Sequence, residues 1–196
     1  MFPMSHLLFS LICCIWGTSF LLTKWALRSV DFVGIGAARV VLGAIALWFV
    51  VIWRRRPMRL ALKDAFPLAM LAVIGYAVPF CVMPYLIGKV EAHAGHGSAF
   101  GGMTLCFVPI LTIIVSVPLL KTLPTTRQFV GVVGGLGCMW LLFADELKQG
   151  VPISLVLLAL VTPSCYAFSN TFIKRRFHDA PPLVLSMYAL AAASLL

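Results

Sequence analysis

Two stripes of aromatic and hydroxyl side chains interrupt an otherwise apolar chain. The first consists of Trp16, Ser19 and Thr23, whose i, i+3, i+7 spacing places them on one face of a helix. The second lies in a degraded copy of the segment 11–28 and consists of Thr162, Tyr166 and Ser169. Such side chains can hydrogen-bond a polar solute, and matched polar stripes in two halves of an apolar chain are typical of carriers built from internal repeats.

Arg39 is the one basic residue well inside an apolar run. A charge exposed to lipid costs at least a few kcal/mol, so the side chain is expected to face protein or water. It shares a helix face with Gly36, Gly43 and Ala46, small residues that let another helix approach closely. One interpretation is a contact to an anionic or zwitterionic substrate. The other is a fold-stabilising arginine that bonds backbone carbonyls or extends outward, and both stay open.

The other candidate residues are aromatic or polar. Trp16 and Tyr166 are predicted to wall a central cavity, although aromatics can equally pack between helices and hydroxyls can bond to their own helix. Tyr76 precedes Pro79 and Pro84, which interrupt the backbone hydrogen bonds of the predicted helix. The segment is either a hinge or an ordinary kink. The predicted substrate-binding set is Trp16, Ser19, Arg39, Tyr76, Tyr166 and Asn170.

Two further motifs invite a chemical interpretation. Glu91, His93 and His96 suggest metal ligands. The two histidines could supply two ligands, but no third strong ligand lies at fixed spacing. A solvated connection is therefore predicted, with no metal or cofactor. The pattern Gly131-x-x-x-Gly135 predicts close helix packing. No catalytic residues are predicted.

The composition indicates that the chain is embedded in lipid. Hydrophobic residues make up 62% and charged residues 11% of the 196 residues, and the mean hydropathy is +1.04. A soluble domain of this length could not cover so much apolar surface. The net charge of +9 comes mostly from bases in short loops, which predicts contact with anionic headgroups of the bilayer and not with nucleic acid.

Apolar runs predict seven membrane-spanning helices, since a bilayer core about 30 Å thick needs about 20 residues. They cover residues 7–27, 33–53, 66–87, 98–120, 128–144, 151–173 and 183–196, and the fifth is short. The fold class is therefore an all-α integral membrane protein, a multi-span helical bundle.

Basic residues concentrate in alternate loops. The second, fourth and sixth loops contain ten bases against four in the others, which predicts that these three loops and the N-terminus are cytoplasmic. The copy lies five spans after the first polar stripe, an odd number, so the copies are inverted. We predict one unit over residues 1–148 and an incomplete second unit over 149–196.

The order of several short motifs resembles the EamA-type family of the drug/metabolite transporter superfamily. The motifs are Trp16-Gly17-Thr18-Ser19-Phe20, Ala37-Ala38-Arg39, Pro109, and Arg127-Gln128 leading to Gly131. The resemblance implies a multi-pass inner-membrane carrier of small metabolites, amino acids or drugs, made of two inverted five-helix repeats. Where the family often has an acidic residue before the fifth span, this chain reads Leu120-Lys121-Thr122. Spans eight to ten are missing, so we expect a fragment of a longer carrier.

The predicted function is a permease that moves a small-molecule substrate by alternating access. No Asp or Glu lies within a predicted span, which favours uniport or substrate exchange over proton-coupled efflux. The alternatives are a truncated, non-transporting remnant or assembly subunit and, less favoured, an integral-membrane enzyme. A homodimer is left open.

Overall fold

The computed structural model describes residues 4–55, 64–121 and 123–195, and within these ranges the chain is helical and contains no strand. The α-helices are α1 (Met4–Ala26), α2 (Phe32–Trp53), α3 (Ala65–Ala72), α4 (Val78–Ala94), α5 (Gly97–Leu105), α6 (Phe107–Leu120), α7 (Thr126–Lys148), α8 (Ile153–Ala159), α9 (Val161–Arg176) and α10 (Pro182–Ala193). A π-helical segment, Val73–Ala77, joins α3 to α4.

Six of the described helical segments are long and apolar enough to cross a membrane. Three are single helices, α1, α2 and α7, and three are built in pieces, from α3 to α4, from α5 to α6 and from α8 to α9. The seventh predicted span, 183–196, corresponds to α10, whose 12 residues are shorter than a crossing requires. The predicted all-α, multi-span membrane fold is confirmed.

The breaks inside the composite spans lie four residues before a proline. Pro109 and Pro163 follow the last residues of α5 and α8, Leu105 and Ala159, by four positions. Pro79 stands in the same relation to Gly75 at the centre of the π-helical segment. A proline removes the hydrogen bond to the carbonyl four residues earlier and its ring crowds that carbonyl. Pro84 and Pro118 are accommodated without a break.

Two helices extend further than hydropathy predicts. A capping box between Thr125 and Gln128 begins α7, which then runs 23 residues to Lys148. The prediction of a short fifth span is therefore wrong. The spans were also predicted to be free of acids, but Glu91 lies in the last turn of α4, and Asp145 and Glu146 lie in that of α7. Backbone hydrogen bonding continues through polar residues where the hydropathy signal stops.

Helix α4 lies centrally and packs against α1, α2, α5, α8 and α9, while α6 packs on α9 and α10 on α2. Gly36 lets α2 approach α4 closely, because a Cβ there would lie 2.9 Å from the Phe80 carbonyl oxygen. The predicted small-residue face of α2 is thus a packing face. In α7, a Cβ on Gly135 would meet Ile110, but Gly131 faces open space in the described part of the chain. The close packing predicted at Gly131 is wrong there.

An ion pair joins the predicted second and sixth loops at one end of the bundle. Arg176, the last residue of α9, pairs with Asp64, which immediately precedes α3, at 2.8 Å between Nη2 and Oδ1. Both belong to loops predicted to be cytoplasmic. Of the basic residues in the second loop, Arg54 and Arg55 follow α2, whereas Arg56, Arg59 and Lys63 lie outside the described residues.

Candidate functional site

Arg39 extends from α2 to the polar stripe of α1. Its Nη2 donates a hydrogen bond to Ser19 Oγ at 2.9 Å and another to Thr23 Oγ1. The Thr23 hydroxyl in turn donates to the Ser19 carbonyl at 2.7 Å. The guanidinium carbon lies 5.9 Å from the centre of the Phe80 ring, on α4. The stripe on α1 therefore holds the arginine through neutral partners.

The charge of Arg39 has no acidic partner within ion-pair distance among the described residues. All its hydrogen bonds there use Nη2, and a guanidinium carries five N–H donors. An uncompensated charge in an apolar environment is costly, and an anion that reached the remaining donors would lower that cost.

A cavity of about 320 Å³ opens beside the guanidinium. Its lining includes Trp16 and Ser19 from α1, Phe80 from α4 and Tyr166 from α9, and Arg39 is the only charged residue in it among the described residues. The cavity thus combines aromatic walls with one positive charge, and its volume lies in the range of small-molecule sites.

A second cavity of about 410 Å³ adjoins the first, since Trp16, Leu105 and Tyr166 line both. Its polar lining comprises Tyr76 from the π-helical segment, and Ser169 and Asn170 from α9, with Tyr166. The structure therefore gathers all six predicted residues around two adjoining cavities: Trp16, Ser19, Arg39, Tyr76, Tyr166 and Asn170. Their contact with a substrate remains a prediction.

The hydroxyls of the two stripes differ in their partners. Thr23 donates to the carbonyl of Ser19 in its own helix, and so does Thr18, beside the stripe, to that of Cys14, as in the packing alternative. Ser19 instead accepts from Arg39. Thr162 Oγ1 and Ser169 Oγ are buried and have no hydrogen-bond partner among the described residues. Ser169, which lines the second cavity, thus holds unused hydrogen-bonding capacity.

Several lining residues escaped sequence reasoning. Phe80, Met83 and Leu105 are ordinary apolar residues whose types carry no signal. A signal did exist for Leu105 and Gly75, which lie four residues before Pro109 and Pro79, where the helix breaks. These breaks face one cavity because of how α4, α6 and α9 pack, and this packing could not be predicted from the sequence.

Ionic contacts at the far end of α4 replace the predicted solvated connection. Glu91 pairs with Lys24 at 2.7 Å and accepts from the Gly97 backbone N–H at 2.9 Å. His96 Nε2 lies 2.7 Å from Glu146 Oε2. The bond to Glu146 raises the pKa of His96 above its ordinary value. Apart from His93, which bonds a backbone carbonyl, this connection is structured by ion pairs.

The chain is similar in sequence to several bacterial transporters. The chain is 26% identical over 182 residues to the uncharacterized transporter YwfM of Bacillus subtilis, covering 92% of this chain and 59% of that protein. It is 25% identical over 207 residues to the S-adenosylmethionine/S-adenosylhomocysteine transporter of Chlamydia muridarum, covering 99% and 62%. The transporter of the same name in Chlamydia trachomatis is 25% identical over 195 residues, covering 93% and 57%.

The chain spans about three-fifths of the length of these relatives. No solved structure matches it significantly. The model of the EamA-like transporter family matches residues 3–144, well over half of the chain. This match and the six apolar helices long enough to cross a bilayer indicate a membrane-embedded, multi-pass protein. The chain belongs to the EamA-like transporter family.

Proposed function

We propose that this protein carries a small metabolite with an anionic group across the inner membrane by alternating access, with the substrate bound beside Arg39. The observation that carries the proposal is the uncompensated guanidinium in a cavity with aromatic walls. A carboxylate or phosphate can accept two parallel hydrogen bonds from a guanidinium, which gives both energy and orientation. Trp16 and Tyr166 would cover the apolar or planar part of such a substrate.

The relatives suggest a first probe. Two of them are named S-adenosylmethionine/S-adenosylhomocysteine transporters. Both compounds combine an amino-acid carboxylate with a planar base, and this combination suits a cavity that offers an arginine and two aromatic rings. Amino acids, which share the carboxylate, form the second class of probe.

The proposed working unit consists of inverted repeats, residues 1–148 and a second repeat that begins at 149. Support comes from the lining of the cavities, because Trp16 of the first repeat and Tyr166 of the second face the same space. Exchanging the conformations of two such halves presents one site to either face of the membrane. The proposed orientation, with the N-terminus in the cytoplasm, follows from the loop bases.

Uptake into proteoliposomes tests the proposal. Protein from the complete reading frame is reconstituted, and entry of labelled S-adenosylmethionine and of labelled amino acids is measured. Each accepted compound is then compared with its carboxamide, which keeps the shape but removes the negative charge. We expect saturable uptake of the labelled carboxylate. The unlabelled carboxylate should inhibit this uptake at least about tenfold more strongly than the carboxamide does. Equal inhibition by the two would mean that Arg39 does not bind the anionic group.

A further inference from the structure

His96 and Glu146 bring two helices together at the end of the bundle away from Asp64. His96 immediately precedes α5, and Glu146 lies in the last turn of α7. The Glu146 side chain is only 6% exposed and the His96 side chain 26%. The contact lies beside a core cluster in which Phe143, one turn earlier on α7, packs on Phe100 of α5 at 5.6 Å between ring centres.

Both ring nitrogens of His96 face oxygen atoms. Nε2 lies 2.7 Å from Glu146 Oε2, and Nδ1 lies 2.8 Å from the carbonyl oxygen of Ala94. A carbonyl oxygen can only accept, so Nδ1 must carry a proton. The second contact then needs one more proton, either on Nε2 or on the carboxyl group of Glu146. A neutral imidazole beside an ionised carboxylate leaves one of the two short contacts without a hydrogen.

The surrounding charges favour a bound proton. Glu91, in the last turn of α4, is the other carboxylate that acts on His96, although it also pairs with Lys24 of α1. Asp145, beside Glu146, is bonded to Gln149. The hydrogen bond to Glu146, with smaller contributions from the Ala94 carbonyl and the charges of Glu146 and Glu91, outweighs burial and holds the pKa of His96 above its ordinary value.

We propose that His96 and Glu146 form a proton-binding site that fastens the last turn of α7 to the start of α5. When the proton is lost, one remaining hydrogen cannot serve both the Ala94 carbonyl oxygen and the Glu146 carboxylate. The buried carboxylate then lacks a hydrogen-bond donor, and the end of α7 loses this attachment. Helix α7 depends on the attachment because, in the described part of the chain, its main helix partner is α6. The proposal concerns this end of the bundle and stands independently of the substrate cavity.

The sign of the pH dependence follows from linkage. A histidine whose pKa is raised by folding stabilises the folded state fully below its unfolded pKa of about 6.5, and loses that contribution as the pH rises through the folded pKa. The melting temperature of the detergent-purified protein is therefore measured from about pH 5.5 to about pH 8.5. The ring nitrogens of His96 are followed in parallel by NMR of protein labelled with 15N-histidine, with H96Q used to assign the signal.

The wild type is expected to lose several degrees of melting temperature as His96 deprotonates. In Glu146→Gln, the amide can donate to a neutral His96, so the protein should fold, lose this step and show a His96 ring with a lower pKa. His93→Gln is the matched control, because among the described residues His93 bonds the Lys89 carbonyl of its own helix and no carboxylate, and the step should persist. The proposal is overturned if His96 titrates at or below its ordinary pKa in the wild type, or if Glu146→Gln leaves its titration unchanged.

Discussion

At the residue scale, the few polar side chains of an apolar chain lie around one charge, the Arg39 guanidinium. Polar or charged residues in an apolar chain are few, and a folded membrane protein must place them against protein or water. Arg39, Ser19 and Tyr166 therefore converge. The apolar lining, such as Phe80, could not be predicted in this way, because apolar residues are equally suited to lipid, core and cavity wall.

The hydroxyls around the cavities should differ in their energetic roles. Thr23→Val removes an acceptor of the Arg39 guanidinium and should lower the free energy of unfolding by about 1–2 kcal/mol, since a charged donor loses its partner. Ser169→Ala removes a buried hydroxyl that has no partner among the described residues, and should be nearly neutral or slightly stabilising. Thermal unfolding of the two variants in the same detergent measures the difference. A larger loss from Ser169→Ala would show that its hydroxyl is bonded in the folded protein.

At the element scale, the spans could be predicted from apolar runs, but their ends and internal breaks could not. Hydropathy falls at Asp145, whereas α7 continues to Lys148 because its backbone hydrogen bonds do not depend on side-chain polarity. The breaks before Pro79, Pro109 and Pro163 follow from proline chemistry. Pro84 and Pro118 show that a proline alone does not decide whether a helix breaks.

The tight turn from α4 to α5 provides a test at this scale. A Cβ on Gly97 would overlap the Ile87 carbonyl oxygen, a backbone atom that cannot move aside, whereas among the described residues a Cβ on Gly102 would meet only a Phe20 side chain at 3.9 Å. Gly97→Ala should therefore destabilise the protein by several kcal/mol or reduce its folded yield, because the overlap is far more severe than ordinary overpacking, which costs about 1–3 kcal/mol. Gly102→Ala in the same helix should remain within about 0.5 kcal/mol of wild type. Similar melting temperatures for the two variants would contradict the close contact at Gly97.

At the scale of the whole molecule, the main prediction from charge is the side of the membrane on which each loop lies. The bases of the second, fourth and sixth loops are predicted to orient the chain with its N-terminus in the cytoplasm. The pairing of Asp64 with Arg176 connects two of these loops at one end of the bundle. The division at residue 149 and the inverted repeats also remain predictions, and a homodimer stays open.

Replacing Arg54, Arg55 and Arg56 together with Gln tests the orientation. Without these charges the second loop loses most of its signal for retention in the cytoplasm, so reporters fused there should show mixed locations. Neutral replacement of Arg28, Lys89 and Lys148, in loops predicted to lie outside, is the control and should leave the reporters cytoplasmic. An unchanged cytoplasmic signal after loss of the three arginines would mean that other features orient the chain.

The most direct test of the proposed function measures transport after the Arg39 charge is removed. Protein from the complete reading frame is reconstituted as wild type, Arg39→Gln and Arg28→Gln, the last being an exposed arginine outside both cavities. Uptake of the accepted carboxylate substrate, with S-adenosylmethionine as the first probe, should weaken about 10- to 100-fold in Arg39→Gln, the range expected for losing a charge-assisted hydrogen bond. Arg28→Gln should transport like wild type. Equal uptake by Arg39→Gln, with the protein folded, would contradict a substrate anion bound at Arg39.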